Sequence, residues 1–152
     1  KAVEGTDLNL VLVGGPSNKS SRYYDTCRKI ADRSKNIFML GWLSADSSLL
    51  RSAYTHADTV ILPSFNETFG LVALEGIMSE SKLVISKNLP IRDFESMSKV
   101  PCFAPNRIDE IRTVLQHVSR TRYDHSIKKR ICEEFSWEKV IDDHIKCYKS
   151  LL

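Results

Sequence analysis

The chain has 152 residues, of which 42% are hydrophobic and 27% charged, a balance that suits one domain with a core and is too apolar for a disordered segment. Its formal net charge is +3, with acidic residues breaking up the basic ones except at Arg28-Lys29 and Lys128-Lys129-Arg130. That suits an anionic ligand or a membrane surface and does not point to nucleic acid. No apolar run approaches the roughly 18 residues of a membrane span.

In chain order, Leu8 to Val13 reads as a strand stopped by Gly14-Gly15-Pro16. A helix is expected from about Ser21 to Ser34, with an inward stripe of Tyr24, Cys27 or Arg28, Ile30 and Ala31. Ile37 to Leu40 is the next strand, closed by Gly41, and Asp46 is a plausible N-cap for a helix carrying Leu49, Leu50, Ala53 and Tyr54. Thr59 to Leu62 is a continuous apolar run suited to the buried middle of a parallel sheet, ended by Pro63, which lacks a backbone N–H. Gly70 opens a helix through about Ser79. Leu83 to Ser86 is a fourth strand, and Val100 to Ala104 a weaker fifth, placed at an edge by its proline. Helices follow over Arg107 to Ser119, Tyr123 to Phe135, and Trp137 to the end, the last capped by Ser136. Alternation of this kind predicts an α/β fold, a Rossmann-like parallel sheet flanked by helices.

Four cysteines (Cys27, Cys102, Cys132, Cys147) and four histidines (His56, His117, His125, His144) show neither CxxC nor metal-ligand spacing. The thiols read as buried or idle in a reducing compartment and the imidazoles as surface or core-edge packing. The first seven residues carry no signal-peptide pattern. Two N-glycosylation sequons occur, Asn18-Lys19-Ser20 and Asn66-Glu67-Thr68. A glycan on the second would block the stretch singled out below, so both are read as chance and the protein as cytosolic or facing the cytosol.

In an open parallel sheet the strands' C-terminal ends share one rim, and ligands bind along it. Gly14-Gly15, Gly41-Trp42 and Ser64 to Gly70 fall there. The informative stretch is Pro63-Ser64-Phe65-Asn66-Glu67-Thr68-Phe69-Gly70-Leu71-Val72-Ala73-Leu74-Glu75. It sets one carboxylate in a strand–helix loop and a second one turn into the following helix. The helix-start amides, from about Phe69 to Val72, lack intrahelical acceptors and favour a diphosphate. Carboxylates are good acceptors for vicinal hydroxyls. Together they suit a ligand that combines phosphates with polyols. A glutamate near a helix start is by itself more often a solvated partner of the dipole.

This segment resembles the signature of the retaining glycosyltransferases with the GT-B fold (the group 1 glycosyltransferases), in which two glutamates separated by seven residues flank a Phe-Gly-Leu core. Glu67 and Glu75 keep that spacing around Phe69-Gly70-Leu71. Tyr54-Thr55-His56-Ala57-Asp58 resembles the family's lead-in, and Leu10 to Gly15, Ile37 to Trp42 and Phe135-Ser136-Trp137 match in order. The resemblance implies the C-terminal, donor-binding half of a GT-B enzyme. The enzyme's sugar-nucleotide substrate would be a UDP- or GDP-sugar and its acceptor a hydroxyl, with no metal required. By the same resemblance Glu67 contacts the donor sugar near the reacting carbon, and Glu75 binds the ribose hydroxyls. The backbone over Thr68, Phe69, Gly70 and Leu71 holds sugar and diphosphate. Gly41, Trp42 and Leu43 line the nucleobase pocket, where Trp42 either stacks on the base or merely packs, and Gly14 and Gly15 form its floor or a plain turn.

Two departures stand out. The family's small-residue run ending in Gly-Thr-Pro is here Ser79-Glu80-Ser81-Lys82, a turn at the far rim. Its glycine-rich segment is here Lys87-Asn88-Leu89-Pro90-Ile91-Arg92-Asp93. The family's first strand, with its diphosphate-binding Arg and Lys, and the whole acceptor domain would precede Lys1. The expectation is therefore a donor fragment, inactive alone. Its partners would be the sugar nucleotide and its own N-terminal domain, with room for membrane-surface association of the full enzyme and none for nucleic acid. Two alternatives stay open: a non-catalytic sugar-nucleotide or protein-binding module on the same fold, and a sugar-nucleotide epimerase.

Overall fold

A computed structural model describes residues 1–16 and 21–151; the sequon at Asn18 lies outside the described residues. The chain divides into two compact units, Lys1–Ala53 and Tyr54–Leu152.

In the first unit, strands β1 (Leu10–Val13) and β2 (Ile37–Gly41) pair in parallel on either side of helix α1 (Arg22–Asp32) in sequence. Ser21 caps α1, its hydroxyl oxygen accepting from the Tyr24 N–H at 3.3 Å, which meets an otherwise unpaired helix-start amide. Ala31 is buried and Tyr24 and Cys27 are half-buried, while Arg28 and Ile30 are exposed. The inward stripe therefore runs through Cys27 and omits Ile30. Asn36 contributes a contact with no signature in the local pattern: its side-chain amide donates to the carbonyls of Val3 (3.1 Å) and Leu8 (2.8 Å), tying the first turn to the start of β2. Helix α2 (Ser48–His56) is capped by Ser47, which accepts from Leu49 and Leu50 N–H at 3.2 and 3.4 Å. The expected cap, Asp46, is instead occupied by the Ser44 hydroxyl.

In the second unit, β3 (Thr59–Leu62), β4 (Lys82–Ser86) and β5 (Cys102–Phe103) form a parallel sheet in the order β3-β4-β5. The middle strand is β4, with Leu83, Val84, Ile85 and Ser86 all buried. The expectation that Thr59 to Leu62 occupies the middle is corrected, since β3 is an outer strand of this sheet and only Leu62 is buried. An apolar run reads alike whether one flank or both are paired, so the pattern could not tell them apart. The edge position expected for the fifth strand holds.

Helix α3 (Leu71–Met78) lies against β3 and β4, and α4 (Ile108–Ser119) turns Ile111, Leu115 and Val118 inward. Helices α5 (His125–Glu134) and α6 (Trp137–Lys149) follow, with Ser136 capping α6 through the Lys139 N–H at 3.1 Å. Ile131 of α5 joins Leu62, Ala73, Ile77, Ile85 and Leu89 in the core. Two short 3-10 turns, Pro90–Asp93 and Glu95–Met97, add Ile91 and Met97, both fully buried. Such turns are shorter than any apolar period can register, so the sequence pattern carries no signal for them.

The turn over Ser79–Lys82, where the chain departs from the resembled family, is closed by side chains. The Ser81 hydroxyl, 1% exposed as a residue, faces the carbonyls of Tyr54 (2.8 Å) and Ala57 (2.9 Å) at the end of α2. The Lys82 ammonium sits among the carbonyls of Val118 (3.0 Å) and Thr121 (3.1 Å) and the Asp58 carboxylate (2.9 Å). A cation there satisfies helix-end carbonyls and the dipole of α4 together. Below α3, an added Cβ on Gly76 would lie 3.0–3.2 Å from three atoms of Val60. Overpacking of that kind costs about 1–3 kcal/mol against a helix-propensity gain of at most about 1 kcal/mol. Gly76→Ala is expected to lower the unfolding free energy, as read by chemical denaturation. A stabilised variant would contradict this close approach.

Among the described residues no helix is long and apolar enough to cross a membrane.

Candidate functional site

Strand β3 ends at Leu62, and Pro63 starts a loop that returns into α3 through Gly70. Gly70 is the N-cap and not the first helical residue, and its φ is +101°. L-residues rarely adopt such a backbone. An added Cβ would also meet Leu62 Cδ2 and Leu89 Cδ2, each at 3.3 Å. Alanine in place of this glycine would therefore be strained.

The turn so formed leaves a pocket of about 400 Å³ lined by Glu67, Thr68, Phe69, Gly70, Leu71 and Val72. The first amide here with a backbone partner is that of Ala73, which donates to Gly70 O at 2.8 Å. The N–H groups of Phe69, Gly70, Leu71 and Val72 have no acceptor among the described residues, as expected for a helix start that presents its positive end. Glu67 is half-buried beside them. Its Oε1 accepts from the Thr68 N–H at 3.1 Å, and its Oε2 from the Ser64 hydroxyl at 3.4 Å. Thr68 thus contributes its backbone to the carboxylate's placement.

Phe69 also lines the pocket. Its ring stacks edge-on against Phe94 (centroids 5.8 Å) and Phe135 (5.6 Å), which anchors the loop to the first 3-10 segment and the end of α5. The loop is also tied to the departing segment after β4, where the Asn88 side-chain amide donates to Phe65 O at 3.4 Å.

Glu75 lies one turn further along α3 and is exposed, and it is not among the residues lining this pocket. Its Oε2 accepts from the Tyr54 phenol at 2.5 Å. Burial, and then the neighbouring Glu75 carboxylate, push the Tyr54 phenol well above its ordinary value. The sequence reading saw Tyr54 only as part of the lead-in and of α2's inward face; a contact 21 residues away in sequence leaves no local signal.

In the first unit, Gly14-Gly15 follow β1, and Gly41-Trp42-Leu43 close and follow β2. The two loops lie side by side, with the Gly14 N–H donating to Gly41 O at 2.7 Å. The Cβ position of Gly15 lies 3.3 Å from the Trp42 nitrogen. Gly14 and Gly41 adopt φ of +134° and +76°. Trp42 is 72% exposed, so of its two readings core packing fails. Leu43 is half-buried.

All four cysteines are free and all four histidines are exposed. Among the described residues no group of three or more His, Cys, Asp or Glu side chains is placed to hold a metal ion.

Residues 1–117 match a protein-family model described as "Glycosyl transferases group 1". An uncharacterized glycosyltransferase of Methanocaldococcus jannaschii is 26% identical over 98% of this chain and 39% of its own length. A D-inositol 3-phosphate glycosyltransferase of Segniliparus rotundus is 31% identical over 73% of this chain and 26% of its own. In structure, the α,α-trehalose-phosphate synthase (UDP-forming) of Burkholderia vietnamiensis superposes with a TM-score of 0.72 at 13% identity, over 93% of this chain and 37% of that one. The chain thus spans well under half the length of these relatives.

Proposed function

The chain belongs to the group 1 glycosyl transferases, and from that premise we propose that it is the donor-binding part of an enzyme that moves a sugar from a nucleoside diphosphate to a hydroxyl acceptor with retention at the anomeric carbon. The observation that carries the reading is the pocket at the start of α3, where unpaired amides of Phe69 to Val72 stand beside the Glu67 carboxylate. Those amides match the charge of a diphosphate, which becomes the leaving group as the bond to the sugar breaks. Donors fixed in advance stabilise that developing charge more in the transition state than in the ground state.

In this reading Glu67 orients the donor sugar through its hydroxyls and is not a general base. Glu75 accepts from the ribose hydroxyls. Backbone amides at the start of α3 meet part of the diphosphate charge, and the step is assigned no metal. The UDP-forming activity in the Burkholderia enzyme's name makes UDP the first nucleotide to try, with GDP second.

The test is transfer by the intact protein from UDP- and GDP-sugars, with the product's anomeric configuration read by proton NMR coupling. An α-linked donor is expected to give an α-linked product. An inverted product, or conversion of the donor in the absence of any acceptor, would overturn the reading.

A further inference from the structure

We infer that Tyr54 is a positioning residue for nucleotide recognition, holding Glu75 in the one rotamer from which its free oxygen meets the ribose diol; this rests on the donor-site reading above. The Tyr54 Oη to Glu75 Oε2 bond is 2.5 Å, the length of a charge-assisted O–H···O⁻ contact. Glu75 is otherwise an exposed side chain on a helix face, and without a partner it would sample several rotamers. A carboxylate has lone pairs enough for several donors, so a phenol on Oε2 leaves Oε1 for hydroxyls of a ligand.

Tyr54 is itself fixed. It stands in the last turn of α2, and its carbonyl accepts from the buried Ser81 hydroxyl at 2.8 Å, alongside that of Ala57. The far-rim turn that departs from the resembled family thus sets the end of α2, the end of α2 sets the phenol, and the phenol sets the carboxylate. A tyrosine phenol is protonated across the neutral range, and burial and Glu75 raise its pKa further, so it remains a donor. A ring that served packing alone would need no hydroxyl at that point.

The experiment measures binding of UDP and of its 2′,3′-dideoxy counterpart to the intact protein by calorimetry, for wild type, Tyr54→Phe, Glu75→Ala and the double variant. GDP and its dideoxy form replace them if GDP binds more tightly. Tyr54→Phe keeps the ring and is expected to weaken the ribonucleotide by about three- to tenfold. It should leave the dideoxy form unchanged and add nothing in the Glu75→Ala background. Equal weakening of both nucleotides, or none with Glu75→Ala still weakening the ribonucleotide, would overturn the positioning role. If Glu75→Ala itself leaves ribonucleotide affinity unchanged, the donor-site reading of Glu75 fails first, and the inference with it.

Discussion

Glu67→Ala in the intact enzyme is expected to lower kcat by at least about tenfold, while Glu75→Ala mainly raises the donor KM. Glu67 lies in the pocket beside the unpaired amides, where it would touch the reacting sugar, so its contacts should strengthen as the glycosidic bond lengthens. Glu75, outside that pocket and one turn along α3, would bind ribose hydroxyls equally well in ground and transition states. Its loss is then a loss of uniform binding. Among the described residues the carboxylate of Glu67 has only local partners, the Thr68 amide at 3.1 Å and the Ser64 hydroxyl at 3.4 Å, so the fold should tolerate the change. Steady-state kinetics together with thermal melts check this. Unchanged kinetics with a lowered melting temperature would make both glutamates structural.

Gly70→Ala carries the second large effect, and it falls on stability as well as on binding. With φ at +101° and Leu62 and Leu89 each 3.3 Å from the added Cβ, backbone strain of about 1–3 kcal/mol adds to local overpacking. At roughly 2–4 °C per kcal/mol for a domain of this size, the melting temperature should fall by several degrees. Nucleotide affinity should fall further than the loss of folded protein accounts for, because the amides of Gly70 and Leu71 move with the cap. A variant as stable as wild type would contradict the positive φ; a destabilised one with unchanged affinity per folded molecule would remove these amides from the site. The same strain means that Gly70 alone separates site from turn poorly, and that Glu67 and Glu75 do so better.

Much of this was legible in the chain. The alternation of apolar runs and amphipathic segments gave a parallel α/β fold, and the ends of β1, β2 and β3 placed the glycines and the Glu67 loop before any contact was known. The interval from Glu67 to Glu75 with Phe69-Gly70-Leu71 between carried the family. What remained hidden was tertiary. The choice of Ser47 over Asp46 as cap depends on which side chain is already engaged by Ser44. The demotion of β3 to an outer strand depends on pairing partners, which an apolar run does not encode. The partner of Glu75, the aromatic anchor of Phe69 on Phe94 and Phe135, and the closing of the far-rim turn by Ser81 and Lys82 all join residues far apart in sequence.

The central claim, that the start of α3 receives the donor's diphosphate, is tested most directly by following backbone amide resonances of the intact protein as UDP or GDP is added. The account predicts that the Phe69, Gly70, Leu71 and Val72 amides shift most within the second unit, in a saturable way, and that UMP or GMP shifts them less. Saturable binding that left these four amides unmoved would contradict it.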